Sequence, residues 1–153
     1  MAFVIEKPTL KDIAQMRALV SDEVKRGVIL ERSEEEMANA IRSYHIVRDG
    51  GEIVGFCALY VYSSSLGELR SLIVKESHRG RGIASALIES IKLEARDLGL
   101  EEVLVLTYRE RLFQKLGFVI IDKTLLPNHK IWADCIKCKH FPICDEIALI
   151  AKI

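Results

Sequence analysis

Apolar residues along this chain change their period several times, and the changes mark out the elements. Phe3–Glu6 reads as a short strand. From Pro8-Thr9 the period turns helical: Ile13, Met16, Leu19 and Val20 fall on one face, and Thr9 with Asp12 has capping-box spacing. After a connection over Arg26–Arg32, Ser33 with Glu36 repeats that signature and opens a second helix through about Arg42. Tyr44–Arg48 and Ile53–Tyr62 read as strands joined by the hairpin turn Asp49-Gly50-Gly51, the second strand broken by Gly55. Ser63–Gly67 is the next connection, and Leu69–Val74 then runs as a largely apolar strand with Glu68 at its start. From Gly82 onward Ile83, Leu87, Ile91, Ala95 and Leu98 recur at spacings of four and three, the stripe of a long amphipathic helix that Gly99 ends. Val103–Thr107 is short and nearly all apolar, as a strand buried on both faces is. Thr107 with Glu110 makes a third capping-box pair before a short helix closed by Gly117. Phe118–Asp122 and Glu146–Ile153 supply the last strands, and residues 125–145 between them form an irregular, cysteine-rich insertion. Two helices, an antiparallel hairpin, then strand–helix–strand–helix–strand is an α+β, mixed-sheet order.

The join between the apolar strand and the long helix carries the first chemistry. It reads Lys75-Glu76-Ser77-His78-Arg79-Gly80-Arg81-Gly82-Ile83-Ala84-Ser85. Backbone N–H groups at a helix N-terminus lack partners, and the helix dipole there favours negative charge. Glycine removes the Cβ that would hold a phosphate away from those amides. A P-loop needs Gly-Lys-Ser/Thr after four spacers, and a dinucleotide fingerprint needs glycines directly after the strand; neither is present. A site for a phosphorylated cofactor or substrate remains, beside the plainer alternative of a solvated basic turn.

Composition narrows the partners. The 153 residues suit a single domain over 1–153, and 50% hydrophobic residues argue against disorder. Lys and Arg (22) balance Asp and Glu (22), so no global basic field favours nucleic acid. Neither a signal-peptide pattern nor a membrane-length apolar run occurs, so a cytoplasmic location and no membrane partner are expected. Four cysteines then suggest free thiols or metal before structural disulfides.

The motif Arg79-x-x-Gly82-x-Ala84 resembles the coenzyme loop of the GNAT N-acetyltransferases, whose element order also matches this chain almost throughout. The resemblance implies a GNAT fold, with a sheet that is mostly antiparallel, and acetyl-coenzyme A as donor. Coenzyme contacts would fall on Leu72, Ile73, Val74, Arg79, Gly80, Arg81, Gly82, Ile83, Ala84 and Ser85, with Lys75 and His78 as further phosphate candidates. Glu68 would be the general base if burial raises its pKa; a strand-edge glutamate facing solvent is the alternative. Many GNAT enzymes carry a tyrosine four residues before the Gly-Phe that ends the short helix. Here Phe113 stands at that position before Gly117-Phe118 and cannot donate a proton. Tyr108 lies nearby but out of register, and solvent is the other acid.

Gly27–Ser33, Glu68–Leu72, Val105-Leu106-Thr107 and Leu125-Leu126-Pro127 together resemble the acetyltransferase domain of N-acetylglutamate synthases. That likeness implies a small-molecule acceptor, the α-amine of L-glutamate, held by Arg32, Arg70, Thr107 and Lys130, and a step in arginine synthesis. A dicarboxylate demands at least two fixed cations; Arg32 alternatively neutralises Glu34–Glu36. Cys135, Cys138 and Cys144 offer three zinc ligands, with His140 or His129 as fourth, against a Cys135–Cys138 disulfide or reduced thiols. Cys57 and His45 read as structural, Trp132 as a loop anchor or pocket wall. A homodimer is in keeping with the resemblance. The rivals are another amino acid, a polyamine or a protein N-terminus as acceptor, or a non-catalytic acyl-coenzyme A or metal-sensing module.

Overall fold

The computed structural model describes residues 3–25, 32–123 and 146–153. Its strands are β1 (Val4–Glu6), β2 (Tyr44–Asp49), β3 (Glu52–Val61), β4 (Leu66–Val74), β5 (Glu102–Thr107), β6 (Val119–Ile121) and β7 (Ile147–Lys152). The helices are α1 (Ile13–Lys25), α2 (Glu34–Asn39), α3 (Ile83–Leu98) and α4 (Glu110–Lys115). The strands form one sheet in the order β1-β2-β3-β4-β5-β7-β6. Among the described residues only the β4–β5 pair is parallel. That matches the expected mixed, mostly antiparallel sheet.

Each face carries its own apolar cluster. On one side Ile13 and Met16 of α1 and Met37 of α2 pack on Tyr44, Ile46, Phe56 and Ala58. On the other, Ile83, Leu87, Ile88, Ile91 and Ala95 of α3 pack on Cys57, Leu59 and Leu69. Each large aliphatic residue so covered contributes about 1.5–3 kcal/mol. Gly55 is what lets α3 lie so close: a Cβ there would meet Ile73 O at 3.0 Å and Ile83 Cγ2 at 3.3 Å.

Several boundaries differ from the sequence expectations. Thr9 and Asp12 do form a capping box, but it caps a single 3₁₀ turn, Leu10–Asp12, that leads into α1. Ser33 and Glu36 form the second box; α2 ends at Asn39, and Ile41–Ser43 is a 3₁₀ turn. Thr107 is not a helix cap: its Oγ1 accepts the Arg109 N–H at 2.9 Å, and Arg109 is the N-cap of α4, making no side-chain cap bond. Leu98, expected on the buried stripe of α3, is 61% exposed, although Ala95 one turn earlier is fully buried. Finally β4 starts at Leu66, so Glu68 lies inside the strand.

Candidate functional site

The site begins where β4 and β5 part. Their ladder is Leu66↔Glu102, Gly67↔Val103 and Glu68↔Leu104, although β4 runs on to Val74 and β5 to Thr107. The cause lies in β4 itself. Phe56 pairs with Ile73 but Ala58 pairs with Arg70, so two steps on β3 span three on β4. That bulge puts Ser71 at φ 61, a left-handed conformation costing an L-residue roughly 1–2 kcal/mol. Beyond Glu68 the β5-facing backbone groups of β4 therefore have no ladder partner on β5 among the described residues. An extended molecule carrying its own amides fits such a slot.

One end of the slot opens onto the start of α3. A cavity of about 200 Å³ there is lined by Val74, His78, Arg79, Gly80, Gly82, Ile83, Ala84, Ser85, Arg109 and Leu112. Gly82 caps α3 with φ 81, and the first helical bond runs from Ala86 N–H to Gly82 O at 3.0 Å. The amides ahead of Ala86 have no helical acceptor. A Cβ on Gly80 or Gly82 would meet nothing within 4 Å, so the space beside these amides is open to a ligand. Most of the residues expected to hold a coenzyme thus line one cavity; Leu72 and Ile73 precede it along β4, and Arg81 sits in its loop.

Lys75 and His78, the further phosphate candidates, each have partners in the structure. Lys75 pairs with Glu52, and His78 Nε2 lies 2.9 Å from Asp49 Oδ2 while its Nδ1 lies 2.8 Å from Ser77 Oγ. Both tie the loop to the β2–β3 hairpin. Arg79 Nε donates to Val74 O at 3.3 Å, bracing the end of β4.

The other end of the slot is a polar cluster on the α1/α2 side of the sheet. Register assembles it: Tyr44 pairs with Ala58 and Ala58 with Arg70, while Tyr60 pairs with Glu68. Glu68 is 1% exposed, at the last pair before the strands part, so it is no solvent-facing strand edge. Tyr62 Oη–H donates to Glu68 Oε1 at 2.7 Å, and Arg70 Nη1 lies 3.9 Å from the same oxygen. The Arg70 guanidinium stacks 3.8 Å above the Tyr60 ring, which packs edge-on against Tyr62. Burial raises the Tyr44 phenol pKa, against the positive charges of Arg32 and Arg70, which lie within electrostatic reach of it. Arg32 lies 4.0 Å from Glu36, a loose contact.

Tyr44, Tyr60 and Tyr62 are absent from any reading of the sequence by local motif. They follow Glu68 only through the strand register, and alternation along Ile53–Tyr62 is the one signal that would have found two of them. Phe113 is 1% exposed and packs edge-on against Phe118, a core role that leaves no acid at that position. Tyr108, just past β5, is 41% exposed. Lys130, Cys135, Cys138, Cys144, His129, His140 and Trp132 lie outside the described residues.

Residues 40–120 match the model of the acetyltransferase (GNAT) domain. An uncharacterized N-acetyltransferase of Chlorobaculum tepidum is 33% identical over 149 residues, 97% of this chain and 96% of the relative. An amino-acid acetyltransferase of Buchnera aphidicola is 26% identical over 148 residues; these are 95% of this chain but 32% of the relative, so the chain spans about a third of that protein's length. The N-acetylglutamate synthase of Neisseria gonorrhoeae, solved with coenzyme A and N-acetyl-glutamate, superposes with a TM-score of 0.87 at 22% identity, over 99% of this chain and 35% of that one.

Proposed function

This chain belongs to the GNAT family of N-acetyltransferases, and from that premise we propose that it moves the acetyl group of acetyl-coenzyme A onto the α-amine of L-glutamate. The observation that carries the reading is the place of Glu68: buried, at the fork of β4 and β5, with a guanidinium beside it. The coenzyme supplies the thioester. Its diphosphate would sit on the amides of Ile83, Ala84 and Ser85, and its amide-bearing arm along Leu72, Ile73 and Val74. The thioester carbon then lies toward the fork.

Glu68 takes a proton from the ammonium of the acceptor, directly or through water. The free amine attacks the thioester carbonyl, the C–S bond breaks, and the thiolate leaves with a proton from Tyr108 or water. Arg70 and Arg32 are the cations for the two carboxylates, with Thr107 and Lys130 completing the acceptor site. Such chemistry is the opening step of arginine synthesis in the cytoplasm. A lysine or polyamine acceptor would need an acidic pocket, and the described face carries two arginines instead.

Thiol release measured with glutamate, lysine and a polyamine tests the assignment. Glutamate is expected to be preferred, and Arg32→Ala to raise its KM while leaving that of acetyl-coenzyme A unchanged. Equal kcat/KM for glutamate and lysine would remove the dicarboxylate acceptor.

A further inference from the structure

We propose that Arg109, at the start of α4, is a further coenzyme-binding residue, which closes the phosphate cradle from a wall other than that of the α3 amides. The inference rests on the acetyl-coenzyme A reading above and adds to it a residue outside the Arg-x-x-Gly-x-Ala loop. Arg109 lines the same cavity as Gly82 and Ile83, but it arrives from β5 rather than β4. Its backbone is held from both directions. Thr107 Oγ1, at the 9%-exposed end of β5, accepts the Arg109 N–H, and Arg109 O accepts the Leu112 N–H at 3.1 Å. The far end of α4 is tied to α3, where Lys92 Nζ donates to Leu116 O at 2.7 Å. This bond ties the two walls of the cradle to each other.

Charge decides what the arginine is for. Three cationic side chains around this loop have partners: Lys75 is paired with Glu52, His78 with Asp49, and Arg79 donates to Val74 O. The guanidinium of Arg109 has neither a carboxylate nor a hydrogen-bond acceptor among the described residues. Backbone amides can neutralise only part of a phosphate dianion, and a planar fork of N–H donors supplies a paired contact they cannot. A phosphate of the coenzyme, either in the diphosphate or on the ribose, is the chemistry this wall selects.

Titration calorimetry with coenzyme A, dephospho-coenzyme A and pantetheine tests the assignment on binding alone, and thiol release with acetyl-pantetheine gives a phosphate-free kinetic arm. Arg109→Ala is expected to weaken coenzyme A about ten- to a hundred-fold, the loss of a hydrogen bond to a charged group. Arg109→Lys should recover part of that loss, and kcat/KM for acetyl-pantetheine should not change. Weakening of dephospho-coenzyme A as well assigns the contact to the diphosphate; weakening of coenzyme A alone assigns it to the ribose phosphate. Unchanged coenzyme A affinity in Arg109→Ala, or an equal loss with acetyl-pantetheine, overturns the proposal. Failure of the wild-type chain to bind coenzyme A would instead overturn the functional reading beneath it.

Discussion

The two ends of the slot between β4 and β5 are built in opposite ways. The phosphate end is built mainly on one run of residues, Arg79 to Ser85, with Arg109 on a further wall, and works largely through backbone: amides without helical acceptors and two glycines with positive φ. The other end is made of side chains from β2, β3 and β4 that meet only because the register aligns Tyr44 with Ala58 and Arg70 and sets Tyr60 beside Glu68. A site made of one stretch of backbone tolerates side-chain change and fails when its conformation fails. A site made by register keeps its geometry and fails when one functional group is removed. Substitutions on the two sides should therefore have different kinetic signatures.

The largest effect is expected at Glu68. Glu68→Gln keeps the shape and still accepts the Tyr62 hydroxyl, so folding should survive while the base is lost. Removing a general base costs about 10²–10⁴-fold in kcat, with little change in the KM for acetyl-coenzyme A. Thiol release across pH checks this. Full activity at every pH would show that the carboxylate is not the base.

Gly82 breaks the other end. A side chain there must adopt φ 81 and would stand in the open space of the cradle. Gly82→Val should raise the KM for acetyl-coenzyme A, lower the thermal midpoint through backbone strain of roughly 1–2 kcal/mol, and leave the KM for the acceptor untouched. A shift in the acceptor KM alone would mean that the two ends are not separate.

This division also explains what was legible in the sequence. The strand, the basic glycine loop and α3 could be read because local pattern dictates them: period, cap and loop lie in one run of residues. Glu68 was findable only through a family likeness, since its burial depends on β3 and β5 covering it. The tyrosines that surround it carry no local motif: alternation along Ile53–Tyr62 puts Tyr60 and Tyr62 on one face, but only the register across three strands sets them beside Glu68 and Tyr44 beside Arg70. Thr107 was misread for the opposite reason: its spacing to Glu110 fits a capping box, but β5 holds Thr107 extended and passes the N-cap position to Arg109. Leu98 likewise fits the helical period but is exposed in the last turn of α3.

Arg70→Ala sharpens the comparison from the acceptor side. The guanidinium lies between the Tyr60 ring and Glu68. Its loss should raise the glutamate KM by roughly ten-fold or more, as for one lost charge-assisted contact. Binding of coenzyme A should stay the same by calorimetry. Loss of coenzyme affinity equal to that of the acceptor would move Arg70 from the acceptor end to the structural frame.

The smallest effect is one of stability, in the layer of α3 away from both ends of the slot. His45 on β2 is 6% exposed and bridges to α3, with Nδ1 2.6 Å from Ser90 Oγ and Nε2 2.9 Å from Glu94 Oε1. Glu94 can only accept, so in the neutral ring Nε2 carries the proton and Nδ1 accepts from the Ser90 hydroxyl. Burial lowers the His45 pKa from its ordinary 6.5, outweighing the hydrogen bond to Glu94, which raises it. The unfolded chain therefore takes up the proton first. The stabilisation is fully present above about pH 6.5 and is lost as pH falls below it toward the lower folded pKa. His45→Gln, with no ring to titrate, should flatten that part of the curve of thermal midpoint against pH while leaving both KM values alone. A midpoint in the wild type that stays level from pH 7 to pH 5 while that of His45→Gln falls would show that this bridge is not the proton-sensitive contact.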